Sequence, residues 1–324
     1  MKAVNFDRPG PPEVMKIIQC GVPEIGDQQV LIEVKYSGVN RPDIIQREGN
    51  YPAPPGHSKT LGLEVSGIVS KIGSRVKNFK EGEKVAALVN GGGYAEYCVA
   101  DQETTFKVPK NISLKEAACI PECFFTVWSN LITRGKLKTK ESVLIHGGTS
   151  GIGIAAIQIL KLFECEIFTT VGNKDKERFC KKIGVQHVLN YQENDFLDEI
   201  KKIKPKGLNM ILDFVGGEYI QKNIDLLSTE GRLINIGFQN GSKANLNLMK
   251  IMLKRITLTG STLRIRSPQF KGGILNELKK FVFPSFENGK IKCYIDSTFK
   301  INDVISSHKR IQEGKHIGKV VLEF

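Results

Sequence analysis

The 324-residue sequence predicts an α/β protein in which a doubly wound parallel sheet of about six strands is inserted into a barrel-like, mostly antiparallel domain. Three observations predict it. The chain is too long for one ordinary core, so two domains of about 150 residues are expected. Its first third reads as short strands between turns, whereas from Glu122 onward strand-like runs alternate with helical ones. A glycine-rich turn, "HGGTSGIG", opens a helix only near position 151, which leaves room for a separate domain ahead of it.

In the first third, "QVLIEVKYSGV", "SGIVSKIG", "EKVAALV", "YAEYCVA" and "TFKVP" have β-branched or alternating patterns separated by Gly, Pro and Asn. "PDIIQREG" is a short helix with Pro42 in its first turn. "YPAPPG", Tyr51 to Gly56, is too rich in proline for regular structure and is read as a stiff loop lining a site. From Glu122 the strands are "VLIHG", "EIFTTVG", "HVLNY", "MILDFVG", "GRLINIGF" and "TLTGST", with helical stretches such as "IGIAAIQILKLF" and "DFLDEIKKI" between most of them. Apolar strands joined by helical crossovers imply a parallel sheet covered on both faces. After about Leu263 a long helical stretch, "SPQFKGGILNELKKFVFPSFENG", leads to a final strand, "GKVVLEF". That tail is too short for a domain and is expected to return to the first one. The expected domains are 1–121 with 264–324, and 122–263.

Composition is that of a globular protein, 40% hydrophobic and 25% charged. No window of eighteen apolar residues and no signal or transit pattern is visible, which predicts a cytoplasmic protein. The seven cysteines are scattered, with no CxxC pair, and are read as small buried hydrophobes. The net charge of +13 is spread along the chain, so it is read as a solvated basic surface and not a nucleic-acid site; it still suits an anionic cofactor.

Gly151, Gly153 and Ala156 fit G-x-G-x-x-A between a strand and a helix. Gly151 is expected to permit the turn, Gly153 to let backbone approach a pyrophosphate, and Ala156 to seat the helix on its strand. The free N–H groups of the helix start would take the phosphates, as in a Rossmann fold. An NAD site usually has an acid at the tip of the second strand. Here the tip is Gly172 and Asn173, followed by Lys174 and Lys176, with Asp175 beyond it. Lysines attract a 2′-phosphate, so NADPH is expected.

This arrangement resembles the medium-chain dehydrogenase/reductase family over essentially the whole chain, which implies a GroES-like catalytic domain around the inserted Rossmann domain. The family's barrel motif, G-H-E-x-x-G-x-x-x-x-x-G-x-x-V, is present as "GLEVSGIVSKIGSRV", Gly62 to Val76. Where the family's alcohol dehydrogenases have a zinc-binding His, this chain has Leu63; their Cys position holds Asn40, and their third ligand position holds Glu122, beside Cys123. At most one ligand survives, and a catalytic zinc needs three. The chain therefore resembles the zinc-free quinone oxidoreductases, and among them the p53-inducible branch, in "GVNRPDIIQREGNYPAPPG", "IPECFFTVW" and "HIGKVVLEF". The resemblance implies NADPH contacts at Thr126, Gly148, Ser150, Gly151, Ile152, Gly153, Gly172, Asn173, Lys176, Tyr191, Gly237, Phe238, Leu263, Arg264 and Lys319, with the nicotinamide in a cleft between the domains. It implies substrate contacts, read as catalytic, at Asn40 and Tyr51, and a homodimer.

Without zinc, a quinone or an α,β-unsaturated carbonyl is a better acceptor than an alcohol. Hydrogen bonds from the Asn40 amide and the Tyr51 hydroxyl would steady the developing oxyanion, and the proton would come from water or Tyr51. Asn40 also reads as a turn residue before Arg-Pro, and Tyr51 as packing. His57 and His146 are read as structural, Glu122 as a partner of a backbone group, and Cys119 and Cys123 as one packed helical face. Two other functions fit the same residues: an enoyl-thioester reductase of the same family, and a non-enzymatic NADPH-sensing or RNA-binding protein.

Overall fold

The computed structural model describes residues 1–324, which divide into two compact units, Met1–Phe125 with Leu263–Phe324, and Thr126–Thr262. No helix is long and apolar enough to cross a membrane.

Thr126–Thr262 is built on six strands: Ser142–Ile145, Glu166–Val171, His187–Asn190, Leu208–Asp213, Leu227–Asn235 and Thr257–Gly260. All neighbours pair in parallel, and in chain order the strands lie third, second, first, fourth, fifth, sixth. This is the Rossmann order, and it reverses between the first and fourth strands, where ligands of open α/β sheets bind. "SVLI" is buried at every position because helices cover both faces. The core joins Leu144, Phe168, Ile211 and Leu233 from the strands to Phe196, Ile200, Ile220 and Ile224 from the helices.

The other unit holds a seven-stranded sheet. Its central strand, Gln29–Val39, pairs antiparallel with Glu64–Ile72, with Tyr97–Asp101 and with the C-terminal strand Lys319–Glu323. Lys84–Leu88 and Thr105–Lys107 extend one side, and Ile295–Lys300 adds to the other, parallel to Lys319–Glu323. The pleat sends Val30, Ile32 and Val34 into one core with Val65, Val69 and Val85. A second core gathers Val4, Val39, Leu61, Tyr94, Val320 and Leu322.

Several elements differ from the sequence reading. The long helical stretch after Leu263 is two helices, Pro268–Phe281 and Phe283–Glu287. Pro284 has no N–H to continue the first, whose last bond is Val282 N to Leu278 O at 2.8 Å. Strands Lys2–Asn5 and Lys16–Gln19, and helix Val304–Gln312, carry too few periodic residues to stand out in sequence.

Candidate active site

In Thr126–Thr262 the glycine turn leaves the first strand at the point where the strand order reverses. Gly147, not Gly151, takes the left-handed conformation of the turn (φ 65°). Gly151 is the first residue of the helix Gly151–Leu162. The Ser150 hydroxyl caps that helix, accepting from Gly153 N at 3.0 Å and donating to Gly147 O at 2.9 Å. A Cβ on Gly153 would lie 2.3 Å from Gly147 O, so only glycine lets turn and helix meet. Ala156 is fully buried beneath, while Ile152 is half-buried and Gly148 lies in the turn itself.

The second strand ends at Val171. Asn173 caps the next helix, accepting from Lys176 N at 2.9 Å. The Tyr191 hydroxyl packs over Gly172, 2.5 Å from where a Cβ would stand. Asp175 is ion-paired with Arg178 and Lys174 with Glu193, at 3.0 Å in the second case. Asp175 is thus neutralised along its own helix. Elsewhere in this unit the Thr126 carbonyl accepts from Asn130 Nδ2 at 2.8 Å. Gly237 leads into Phe238, which is half exposed. His146 is buried between Thr170 Oγ1 at 3.1 Å and Asn223 Oδ1 at 2.8 Å, a structural role.

In Met1–Phe125 with Leu263–Phe324, a charged cluster sits where the three central strands meet. Glu64 opens its strand, Asn40 follows Val39, and Lys319 opens the C-terminal strand. Lys319 Nζ donates to Glu64 Oε1 at 2.6 Å, Asn40 Oδ1 at 2.5 Å and Val39 O at 3.4 Å. Asn40 Nδ2 donates to Glu64 Oε1 at 2.9 Å and Gly38 O at 3.3 Å. Glu64 Oε2 accepts from Glu122 N at 2.8 Å. All three side chains are buried. Gly38 makes the room, since a Cβ there would stand 2.1 Å from Glu64 Oε1. Burial opposes the Lys319 charge, but its acidic surroundings, the Glu64 carboxylate at 2.6 Å above all, outweigh it and hold the ammonium above the usual lysine range. Both amide protons of Asn40 and all three ammonium protons of Lys319 are therefore committed inside the protein. Neither offers the free N–H that an oxyanion or a cofactor would need.

Asp43 lies beside this cluster, accepting from Asn40 N at 2.8 Å, Gly62 N at 3.0 Å and the Tyr94 hydroxyl at 3.2 Å. Burial pushes its carboxyl up to about 6. Burial, with Arg47 beside it, pushes His308 down to about 3, so that ring is neutral.

A second set is linked to Tyr51 through Arg264. The Arg264 guanidinium lies 5.3 Å from its ring centroid, and the Tyr51 hydroxyl makes no hydrogen bond within the protein. Arg264 Nε and Nη2 donate to Asn90 O at 3.0 and 2.7 Å, and Lys271 Nζ donates to Asn90 Oδ1 at 2.7 Å and Arg264 O at 2.9 Å. Asn90 Nδ2 is 3.1 Å from His57 Nε2, whose pKa is lowered by burial and by both cations. Burial pushes Glu122 up to about 8, helped by Glu64 and Asp43. Burial and Glu122 also raise Tyr51, which keeps its proton at neutral pH.

The structure thus joins Asn40 to Lys319 and Tyr51 to Arg264. It adds Lys271 and Asn90, which the sequence reading missed, because nothing local marks a lysine on a helix or an asparagine before "GGG" as part of a site. Glu64 was visible only as a letter of the barrel motif. Leu263 is the first residue of the returning segment. All seven cysteines are free; burial pushes Cys123 up to about 12, so it is no reactive thiolate.

Residues 26–110 match the alcohol dehydrogenase GroES-like domain, and residues 151–280 match the zinc-binding dehydrogenase family. The chain is 31% identical over 326 residues to the quinone oxidoreductase of Homo sapiens, covering 99% of this chain and 97% of that protein. It is 30% identical over 321 residues to the synaptic vesicle membrane protein VAT-1 homolog of Danio rerio, covering 94% of this chain but spanning only 66% of that protein. Among solved structures, the Escherichia coli quinone oxidoreductase complexed with NADPH aligns over 100% of both chains, with a TM-score of 0.89 at 27% identity. The JamJ enoyl reductase in its apo form aligns over 99% of this chain and 98% of that one, with a TM-score of 0.88 at 26% identity. A Rossmann sheet, a GroES-like domain and these full-length likenesses agree: the chain belongs to the quinone oxidoreductases of the medium-chain dehydrogenase/reductase family.

Proposed function

We propose that this protein is a zinc-independent reductase that uses NADPH to reduce quinones or reactive α,β-unsaturated carbonyls. In this reading Thr126–Thr262 holds the nucleotide, and Met1–Phe125 with Leu263–Phe324 holds the substrate site. The observation that carries it is the fixed ammonium of Lys319, held by Glu64 and Asn40 among the residues that replace the family's zinc ligands. That donor set does not fit zinc: Leu63 has no donor atom, the Asn40 amide is committed, and the Glu64 carboxylate is already occupied by Lys319 and Glu122 N. No three His, Cys, Asp or Glu side chains are arranged to hold a metal ion.

The turn fits a dinucleotide. Its helix start is capped by Ser150 alone, its glycines leave no side chain over the backbone, and no unpaired acid stands at the tip of the second strand. Ser150, Gly151, Ile152 and Gly153 would hold the pyrophosphate, and Asn173, Lys176 and Tyr191 the 2′-phosphate. NADPH supplies a hydride, and the acceptor then needs one proton. Tyr51, protonated and free of internal partners, is the donor on this chain. Asn40 acts as a positioning residue, holding Lys319 and Glu64 in one fixed cluster at the start of their strands. The exposed Leu248, Met249, Met252 and Leu253, just before the edge strand Thr257–Gly260 in the chain, favour a homodimer through that edge. Sedimentation should give twice the chain mass.

The test is nucleotide titration by fluorescence, followed by NADPH oxidation with 1,2-naphthoquinone, with and without chelator. Tight NADPH binding, weak NADH binding and chelator-resistant turnover are expected. Binding without turnover on any quinone or enone would favour a nucleotide sensor, and no binding would overturn the reading of the glycine turn. Because an enoyl reductase is a structural neighbour, crotonyl-CoA is the comparison substrate; faster turnover than with 1,2-naphthoquinone would favour an enoyl-thioester reductase.

A further inference from the structure

Arg264, against the Tyr51 ring, and Lys271, bonded to the Arg264 carbonyl, have no ion-pair partner. Arg264 is only 6% exposed and Lys271 only 3%. Every hydrogen bond they make goes to a neutral acceptor: Asn90 O, Asn90 Oδ1 or Arg264 O. The remaining guanidinium nitrogen, Arg264 Nη1, is buried with no partner at all. The acids that act on this pair do so at a distance, with no hydrogen bond or ion pair to either cation. Burial pushes Glu122 up to about 8, and Asp43 accepts from Asn40 N, Gly62 N and the Tyr94 hydroxyl. Asp101 accepts from Glu103 N at 2.8 Å. His57 is uncharged at neutral pH, held below its ordinary pKa.

A buried guanidinium is costly without a counter-ion and is seldom left that way. Nε and Nη2 are taken by Asn90 O, so Nη1 is the nitrogen left to donate to one oxygen of a carboxylate or sulfonate. We infer that Arg264 anchors an acidic group carried by the substrate, so that the preferred acceptors are quinones or enones bearing a carboxylate or a similar anion. The inference rests on the reductase reading and deepens it. It gives Arg264 to the substrate and not to the cofactor. Tyr51 fits this assignment: its ring lies against the same guanidinium, so one contact would place the acid and bring the acceptor to the free hydroxyl.

The first measurement is calorimetry on the full wild-type chain with NADP⁺ present, comparing 2-naphthoate with 2-naphthamide. They have nearly the same shape and differ in charge. The naphthoate should bind about tenfold more tightly or better, the usual gain for a charge-assisted hydrogen bond. Equal or weaker binding overturns the inference, whatever the quinone rates show. Arg264→Met should abolish the preference and leave NADPH affinity unchanged. If instead it weakens NADPH as much as naphthoate, the anion is a cofactor phosphate and the inference falls. If naphthoate is preferred but no quinone or enone is turned over, the anion site stands and the reductase reading fails. The wild-type comparison holds even if the variant does not fold.

Discussion

The two units bury polarity in different ways. In Thr126–Thr262 His146 and Asp213, buried near the sheet, are bonded to neutral groups: His146 between Thr170 and Asn223, and Asp213 accepting from Val215 N at 2.7 Å and Asn235 Nδ2 at 2.8 Å. Its proposed binding function rests on main-chain shape. The other unit buries Glu64 with Lys319, Asp43 with Tyr94, and Arg264 with Lys271. Its proposed function rests on charge. Ionised groups out of water are the expensive part of a fold, and a cluster of them marks where chemistry, not packing, set the residue.

This contrast breaks most easily at Lys319. Lys319→Met should leave Glu64 charged and unpaired, and urea denaturation should show a loss of about 3–5 kcal/mol. Adding Glu64→Gln should restore much of it. A loss no greater than that of an exposed lysine would mean that the pair is not charged in the fold.

The next effect is read in pH. Glu122 has an ordinary value of 4.5 and is pushed up to about 8. The folded state thus holds a proton that the unfolded state has lost. Stability from this group is complete below pH 4.5 and disappears as pH rises to 8, by at most a few kcal/mol. Asp43 acts in the same sense between 3.8 and 6, and His308 in the opposite sense between 3 and 6.5. Lys271, pushed down from 10.5 to about 8, restores stability only above 8. Between 6.5 and 8 the decline should therefore belong to Glu122, and Glu122→Gln should flatten it. An unchanged slope would place the charge elsewhere.

Tyr51→Phe removes the one hydroxyl proposed as proton donor, and kcat with 1,2-naphthoquinone should fall by about 10². Unaltered kcat would hand the proton to water. The smallest effect is expected in the other unit. Lys176→Ala should weaken NADPH binding about tenfold and leave NADH unchanged, since only a 2′-phosphate would feel that ammonium. Equal losses for both nucleotides would remove the basis for NADPH preference.

Much of the nucleotide unit was legible because its signals are local. Strand, turn and helix follow within "VLIHGGTSGIGIAAI", and Gly172 and Asn173 in place of an acid at the tip of "TTVGN" need no distant partner to be seen. Even there the role of each glycine was not legible: Gly147 carries the left-handed turn, and the crowding that bars a Cβ from Gly153 comes from Gly147 O. The other unit was legible mainly in what it lacks, such as a histidine at Leu63.

By itself, the sequence determined the alternation of strands and helices, the glycine turn and the identity of the residues at the family's zinc positions, because periodicity and residue chemistry act over a few neighbours. Only the tertiary structure decided that Lys319 reaches Asn40 across 279 positions and Glu64 across 255, and that Arg264 and Lys271 share Asn90. Burial and counter-charge are properties of the packed chain. A lysine's pKa, and whether an arginine lacks an anion, depend on side chains that the linear order keeps far apart.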